Sequence, residues 1–308
     1  MSTETLKGFV FPGQGTQKNI PEMAGKLLSH NDSDVVRISN RVYQEADDTL
    51  RIRIRKLSLV GPIEKLNKPG YAEPAILTLS IALLRILRQR GIKPDVVAGH
   101  SLGEFSALVA AEALSFEQAL KLARARGQFM EEAGRQNPGK MSAVFGLSLA
   151  EVEEICGIAG AEVANINAPG QIVISGRVDS VLYANRIVSE RGRKSRILEV
   201  SIASHSSLMK PAQEGMAREV RDLPISDLSF PLVMNLTANY AMNTEQVRGE
   251  MVDQPTGRVL WLDSVALMSA DGVGSYVELG PGDVLAGTIR RIDPNALVSH
   301  AMDLIQRQ

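Results

Sequence analysis

Short apolar runs alternate with longer helical stretches through most of this chain, and that alternation narrows the fold more than any other feature. "GFVF" (8–11) reads as a strand ending in "PGQG". "AILTLSIALLRILRQRG" (75–91) reads as a buried helix closed by Gly91. "DVVAGH" (95–100) is a short strand, 102–114 a helix, and "FEQALKLARARGQFMEEAG" (116–134) another. Strands return at "PLVMNLT" (231–237) and "SYVELGPG" (275–282). Strand following helix in this way predicts an α/β fold on a mostly parallel sheet.

The pattern breaks once, near Asn137–Pro138–Gly139. Next come "MSAVFGL" (141–147), a helix near 149–158, "EVANINA" (162–168), "QIVISG" (171–176), a helix near 178–192 and "SRILEVS" (195–201). That order, strand, helix, strand, strand, helix, strand, is ferredoxin-like. The sequence therefore predicts a ferredoxin-like subdomain at 137–203 inserted into an α/β subdomain made of 1–136 and 204–308. A chain of 308 residues is long enough for that arrangement.

Composition excludes several classes. Net charge is −1, so nothing global favours nucleic acid or an anionic membrane. Cys156 is the single cysteine, which rules out a disulfide within the chain and a Cys-rich zinc site, and favours a reducing compartment. The start lacks an apolar stretch of secretory length, and no apolar run is expected to reach membrane-spanning length. The expectation is a cytoplasmic protein.

"VVAGHSLGEFSALVAAEAL" (96–114) fits Gly-x-Ser-x-Gly between a strand and a helix. A serine hydroxyl is a weak nucleophile. It must be exposed, oriented and close to a base and to oxyanion donors, and a sharp turn flanked by glycines provides that. The following helix points N–H groups at developing negative charge. The alternative is a tight turn with an incidental serine; the strand before and helix after favour Ser101 as a nucleophile.

The base must come from His30, His100, His205 and His300. His30 lies in polar "LSHNDSD", His300 is eight residues from the end, and His100 precedes the serine and should point away from it. His205, in "SIASHSSLMKP", remains. No acidic third member stands out, so a carbonyl or amide is expected to orient the histidine.

The helix at 116–134 carries an apolar stripe of Ala119, Leu122, Ala123, Phe129, Met130 and Ala133, and Arg126 lies in its middle. A buried guanidinium is costly unless paired. It could form a structural salt bridge, or it could await a carboxylate that arrives with substrate, whose geometry guanidinium matches with two parallel hydrogen bonds. "FPGQGTQ" (11–17) could expose backbone amides as half of an oxyanion hole. "GRQNPGKM" (134–141) imitates a phosphate loop, but Met141 replaces the magnesium-binding hydroxyl and a helix precedes it. "NLT" (235–237) fits a glycosylation acceptor, and "RGRKSR" (191–196) is a basic cluster suited to a solvated face or an acidic partner.

Taken together, "FPGQGTQ", "AEPAIL", "GHSLGE", "RARGQFM", "VANINAPGQIVISG", "SHSSLM", "MNLT" and "ELGPG" resemble, in family order, the malonyl-CoA:acyl carrier protein transacylases, including stand-alone acyltransferases of polyketide synthases. The resemblance implies a hydrolase-like α/β subdomain with the ferredoxin-like insertion. It implies Ser101 as the acylated nucleophile, His205 as its base, and Gln14 and Leu102 as the oxyanion-hole amides. It also implies that Arg126 pairs with the malonyl carboxylate, that the Gln254 carbonyl orients the histidine, and that Asn165 lies near the pocket. The implied reaction is ping-pong from malonyl-CoA, through an acyl-serine ester, to the phosphopantetheine thiol of an acyl carrier protein, with no metal or bound cofactor and with the chain acting as a monomer.

The chain departs from the family pattern in places. Glu73 stands where glutamine is frequent, Pro255 follows Gln254, and Asp283 follows "GPG" where a basic or neutral residue is common. "IASH" (202–205) shares its last three residues with methylmalonyl-preferring members, whereas Leu102 suits malonyl. Other readings stay open: a trans-acting enzyme of polyketide synthesis using malonyl or methylmalonyl units, an acyl hydrolase, and a non-catalytic subunit that binds carrier or CoA.

Overall fold

The computed structural model describes residues 5–200 and 202–306. In chain order the strands are β1 (Leu6–Phe11), β2 (Val96–Gly99), β3 (Gly139–Phe145), β4 (Glu162–Ala168), β5 (Gln171–Arg177), β6 (Lys194–Ile197), β7 (Leu232–Val233), β8 (Val273–Glu278) and β9 (Leu297–His300). They separate into two sheets. The first is parallel throughout, in the order β7-β2-β1-β8-β9. The second is antiparallel, in the order β4-β5-β3-β6.

The strands of the first sheet read as unbroken apolar runs because helices cover both faces. All of β2 and the last four residues of β1 are buried, and Phe9 and Phe11 pair with Val97 and Gly99. The helix Pro69–Gln89 runs through the core with almost every residue buried. By length and composition it could cross a membrane, which corrects the expectation that no run reaches that length; 89% of its most apolar stretch is buried inside the protein. Polar Thr78 and Ser80 break its apolar run in the sequence, yet both are buried, and Thr78 returns its hydroxyl to the Pro74 carbonyl at 2.6 Å.

The helix Phe116–Gln136 packs along Pro69–Gln89 and starts at a capping box, in which Ser115 and Gln118 satisfy each other's backbone N–H groups. The two helices approach closely because position 127 is glycine: a Cβ there would lie 2.5 Å from the Pro69 carbonyl carbon. That close approach brings Arg126 to the facing helix.

The second sheet has the strand order of a ferredoxin-like unit, with Leu149–Ala159 and Val178–Glu190 packed on it. Ser148 and Glu151 cap the first of these helices reciprocally, and Gly160 ends it in the left-handed region at φ +69°. β6 stops at Ile197, short of the strand expected over 195–201, and Ser201 lies outside the described residues. Four helices, Ile20–Leu28, Ser33–Leu50, Ile54–Val60 and Ile63–Leu66, fill the stretch between the first strand and the core helix, where the alternation had offered no assignment.

Candidate active site

β2 ends at Gly99 and the chain turns sharply into the helix Gly103–Ala110. His100 N–H still donates to the Phe11 carbonyl at 2.9 Å, and the turn closes as Gly103 N–H donates to the His100 carbonyl at 2.9 Å. Ser101 is held between them at φ +52°, a left-handed conformation that costs energy for a residue with a Cβ. Gly99 and Gly103 permit the turn: a Cβ on Gly99 would lie 2.0 Å from the Gly103 carbonyl carbon, and one on Gly103 would lie 1.9 Å from the Phe11 oxygen. This is the strand-to-helix turn expected from Gly-x-Ser-x-Gly.

His205 reaches Ser101 from 104 residues away, with Nε2 at 2.8 Å from Oγ. Its backbone is also left-handed, at φ +59°. Nδ1 lies 3.0 Å from the carbonyl oxygens of both Gln254 and Gly257. Carbonyls only accept, so Nδ1 carries the proton and Nε2 presents its lone pair to the serine hydroxyl. Burial pushes the imidazole pKa down to about 3, the Arg126 guanidinium adds to the effect, and the two carbonyls oppose it. The ring is therefore neutral at physiological pH. Pro255, which cannot donate, accepts instead: His205 N–H donates to its carbonyl at 2.9 Å. The other histidines are engaged elsewhere. His100 Nε2 lies 2.8 Å from Asn167 Oδ1, His300 Nε2 lies 2.8 Å from the Gly280 carbonyl, and His30 Nδ1 accepts from Asp32 N–H at 3.0 Å.

Arg126 is fully buried and donates to Ser101 Oγ at 3.0 Å. The serine oxygen thus accepts from the guanidinium and donates to the imidazole. Arg126 also forms an ion pair with Glu73, which is equally buried on Pro69–Gln89. Of the two sequence readings of Arg126, the salt bridge is present, and the side chain also faces the serine. Burial raises the Glu73 carboxyl to about 7, against the opposing pull of Arg126.

Behind the serine lies a polar network that the sequence reading missed. Asn235 Oδ1 accepts from Ser101 N–H at 2.7 Å, and Asn235 Nδ2 donates to the Gly99 carbonyl at 2.6 Å. Glu104 accepts from the Asn235 backbone and side-chain amides, each at 2.9 Å, and from the Gln254 side chain. Gln254 Nε2 also donates to the Ser101 carbonyl at 3.0 Å. One buried carboxyl therefore holds two amides that hold the serine backbone, and one of those residues also holds the histidine. Burial and neighbouring Glu250 push Glu104 well above the usual carboxylate range, and burial raises Glu250 to about 7. Glu104 belongs to "GHSLGE" and Asn235 to "MNLT", so both were within reach of the motif reading, but a buried carboxyl network leaves no local periodic signal. Asn235 is 2% exposed and fully engaged, which leaves "NLT" no role as a glycosylation acceptor.

Leu102 is buried at the N-terminus of Gly103–Ala110, and Gln14 follows Gly13, where a Cβ would lie 2.4 Å from the His100 carbonyl oxygen. Among the described residues, the N–H groups of Leu102 and Gln14 donate to no protein acceptor. Asn165 is buried in β4, where that strand meets Val259, and its side chain makes no hydrogen bond to Ser101, His205 or Arg126 among the described residues. Also among the described residues, no group of three or more His, Cys, Asp or Glu could hold a metal ion.

A left-handed serine on a strand-to-helix turn, with a neutral histidine and a guanidinium on its hydroxyl, defines a site able to form an acyl-serine ester. The chain belongs to the family described as the acyl transferase domain, which matches residues 8–285. It is 38% identical over 291 residues to the malonyl CoA-acyl carrier protein transacylase of Bacillus subtilis, covering 92% of this chain and 90% of that one. It is 38% identical to the Escherichia coli (strain K12) transacylase of the same description, covering 94% and 93% of the two chains. Among solved structures it superposes on the malonyl CoA-acyl carrier protein transacylase of Coxiella burnetii with TM-score 0.92, 34% identity and 98% of each chain covered. A malonyl-transacylase solved in complex with a type II PKS acyl-carrier protein matches with TM-score 0.92 and 32% identity, covering 99% and 100% of the two chains.

Proposed function

We propose that this protein is a malonyl-CoA:acyl carrier protein S-malonyltransferase in which Ser101 is the acylated nucleophile and His205 its base. The observation that carries the reading is the junction at Ser101 Oγ, with His205 Nε2 at 2.8 Å and an Arg126 nitrogen at 3.0 Å. Relatives with that activity in their names support the substrate class.

Ser101 gives its proton to His205 Nε2 as Oγ attacks the malonyl thioester carbonyl. The oxyanion is received by the Leu102 and Gln14 N–H groups. CoA leaves with the proton from His205, and malonyl remains as a serine ester. Arg126 pairs with the free carboxylate of the acyl group. The Gln254 carbonyl keeps the histidine in the tautomer that can accept, and Asn165 borders the pocket. The carrier's phosphopantetheine thiol then gives its proton to His205 and takes the acyl group, and His205 returns that proton to Ser101 Oγ as the ester bond breaks. Thiol must outcompete water, so the ester has to be shielded.

The remaining assignments belong to this reading. Residues 1–136 and 204–308 form the hydrolase-like subdomain, and 137–203 the ferredoxin-like one. The enzyme works as a cytoplasmic monomer, without metal, bound cofactor, nucleic acid or membrane. The carrier serves fatty acid or polyketide synthesis; the superposable malonyl-transacylase with its type II PKS carrier supports the second.

Intact-protein mass spectrometry tests the function. Malonyl-CoA should add one malonyl group that maps to Ser101, and a phosphopantetheinylated carrier should remove it and gain it. An adduct lost to water while the carrier stays bare would establish a hydrolase instead. No adduct at all, with CoA still bound, would make the protein a binding subunit.

A further inference from the structure

The guanidinium beside Ser101 is already neutralised by the protein itself. Glu73, on Pro69–Gln89, pairs with Arg126 on the facing helix, and neither side chain reaches solvent. The pair is incompletely satisfied. Glu73 Oε2 and Arg126 Nε are both buried without a hydrogen-bond partner among the described residues. A buried ion pair that only supports the fold gains from having its remaining donors and acceptors bonded. Here one of each is left over, on a pair that also contacts the hydroxyl of Ser101.

A carboxylate entering with substrate would meet Glu73 on the same guanidinium. Two ionised carboxylates sharing one cation in a dry site repel, and one of them takes a proton. An acyl group without a carboxylate meets no such conflict, because the ion pair stays intact and no lone positive charge is left facing an apolar group.

We propose that Glu73 sets the acyl selectivity of this site: it occupies Arg126 when the acyl group is neutral, and it releases Arg126 to a malonyl carboxylate by taking up one proton from solvent. This rests on the reading that Ser101 is acylated from a CoA thioester. The pocket is then permissive, accepting acetyl-type groups as well as malonyl, and its preference depends on pH. With glutamine at 73, Arg126 would keep its full charge and select for a carboxylate at every pH.

Burial places the Glu73 carboxyl near 7, so the proton exchange falls in an accessible range. The charges acting on Glu73 from the opposite helix are Arg126 and, more weakly, Glu131, which accepts from Gly70 N–H at 2.7 Å. Arg124 lies over the Tyr71 ring at 4.2 Å, and from the helix Gly103–Ala110 the Phe105 ring faces Arg126 at 5.9 Å. His205 faces Arg126 and stays neutral through this range. Glu104 and Glu250 also carry raised values, but Glu104 reaches the site only through the Asn235 and Gln254 amides and Glu250 accepts from Leu236 N–H, so both affect every acyl group alike. The ratio of malonyl to acetyl transfer cancels their contribution.

The experiment measures kcat/KM for malonyl-CoA and acetyl-CoA with the same carrier from pH 6 to pH 8. In the wild type the malonyl:acetyl ratio should fall by about tenfold over that range, as expected for uptake of one proton by a group titrating near 7. In Glu73→Gln the ratio should be flat and, at pH 8, about tenfold higher than in the wild type. A flat wild-type ratio, or a Glu73→Gln ratio that follows the wild type, would make Glu73 a structural partner only and overturn the proposal. A variant that fails to fold leaves the wild-type pH series to decide. Calorimetry adds a second reading on Ser101→Ala. In two buffers of different ionisation enthalpy at pH 8, malonyl-CoA should bind with uptake of about one proton and acetyl-CoA with none, as the same linkage requires. Equal uptake for the two ligands would sink the idea. Failure of the transferase reading looks different: neither acyl group would load Ser101 at any pH, and the role of Glu73 would fall with it.

Discussion

The two sheets bury different chemistry. Between the antiparallel sheet and its helices lies an almost wholly apolar cluster, including Val144, Val152, Ile155, Ile172, Ile174 and Val181. Beside the C-terminal end of β2 the protein buries Glu73, Glu104, Arg126, His205, Asn235, Glu250 and Gln254. The first region gains stability from area alone, roughly 25 cal/mol for each Å² of apolar surface removed from water. The second gives up part of that gain to hold polar groups in fixed relation, each needing a partner to be tolerated at all. The difference separates a part that supports from a part that reacts. Substitutions should accordingly affect stability in one region and selectivity or turnover in the other.

The largest effect is expected at Arg126. Arg126→Ala should lower kcat/KM for malonyl transfer by about a hundred- to a thousandfold, the scale of losing a charge-assisted electrostatic contact in a closed site. Acetyl transfer should suffer far less. Equal loss for the two acyl groups would reduce Arg126 to a structural residue and blur the contrast between the regions. The counterpart in the supporting sheet is Ile174→Ala. It should cost about 2–5 kcal/mol of unfolding free energy, seen as a shift in the urea midpoint, while the malonyl:acetyl ratio and KM stay unchanged. A changed ratio would mean that the antiparallel sheet shapes the pocket.

Glu104→Gln sharpens the distinction within the polar region. The amide carries two N–H donors where the protonated carboxyl carries one O–H, and they must face the N–H groups of Asn235 or Gln254. Turnover should fall by about ten- to a hundredfold through misplacement of the serine and histidine, equally for malonyl and acetyl. Glu104 is thus a positioning residue, and its selectivity profile should differ from that of Glu73. An unchanged turnover would show that the elbow holds itself.

The smallest effect concerns acid stability. The folded His205 has its pKa depressed to about 3, whereas the unfolded chain binds that proton at the ordinary histidine value. Stability from this group is fully present above the unfolded value and is lost as pH falls toward 3. The raised carboxyls of Glu73, Glu250 and Glu278 act oppositely, and their contribution is lost as pH rises through about 7. Comparing melting temperatures of wild type and His205→Gln at pH 6.5 and pH 4 isolates the histidine. The variant should lose less on acidification, and identical losses would mean that the imidazole is protonated in the fold.

Much of this molecule was legible in the residues themselves. Strand–helix alternation, the break after Gln136 and the strand order that followed each depend on windows of ten or twenty residues, and hydrophobic periodicity acts on that scale. The elbow was legible too, because only glycine fits at 99 and 103 when the chain doubles back so tightly. His205 could be reached by elimination among four histidines, and Arg126 by its misplacement on an apolar stripe. The helices between 20 and 66 were not read, although Ser33–Leu50 buries Val35, Ser39, Val42, Tyr43 and Ala46 along one face. The partners of the two key side chains were also beyond the sequence. Glu73 and Arg126 are 53 residues apart, and Glu104 and Gln254 are 150 apart. A buried ion pair or hydrogen-bond network exists only where separate elements converge, so nothing in either local stretch could announce it. The sequence by itself determined which groups were available and which turn would hold the serine. Only the tertiary structure decided that Asn235 and Glu104 hold the serine backbone, and that the arginine meets the serine with a carboxylate already on it.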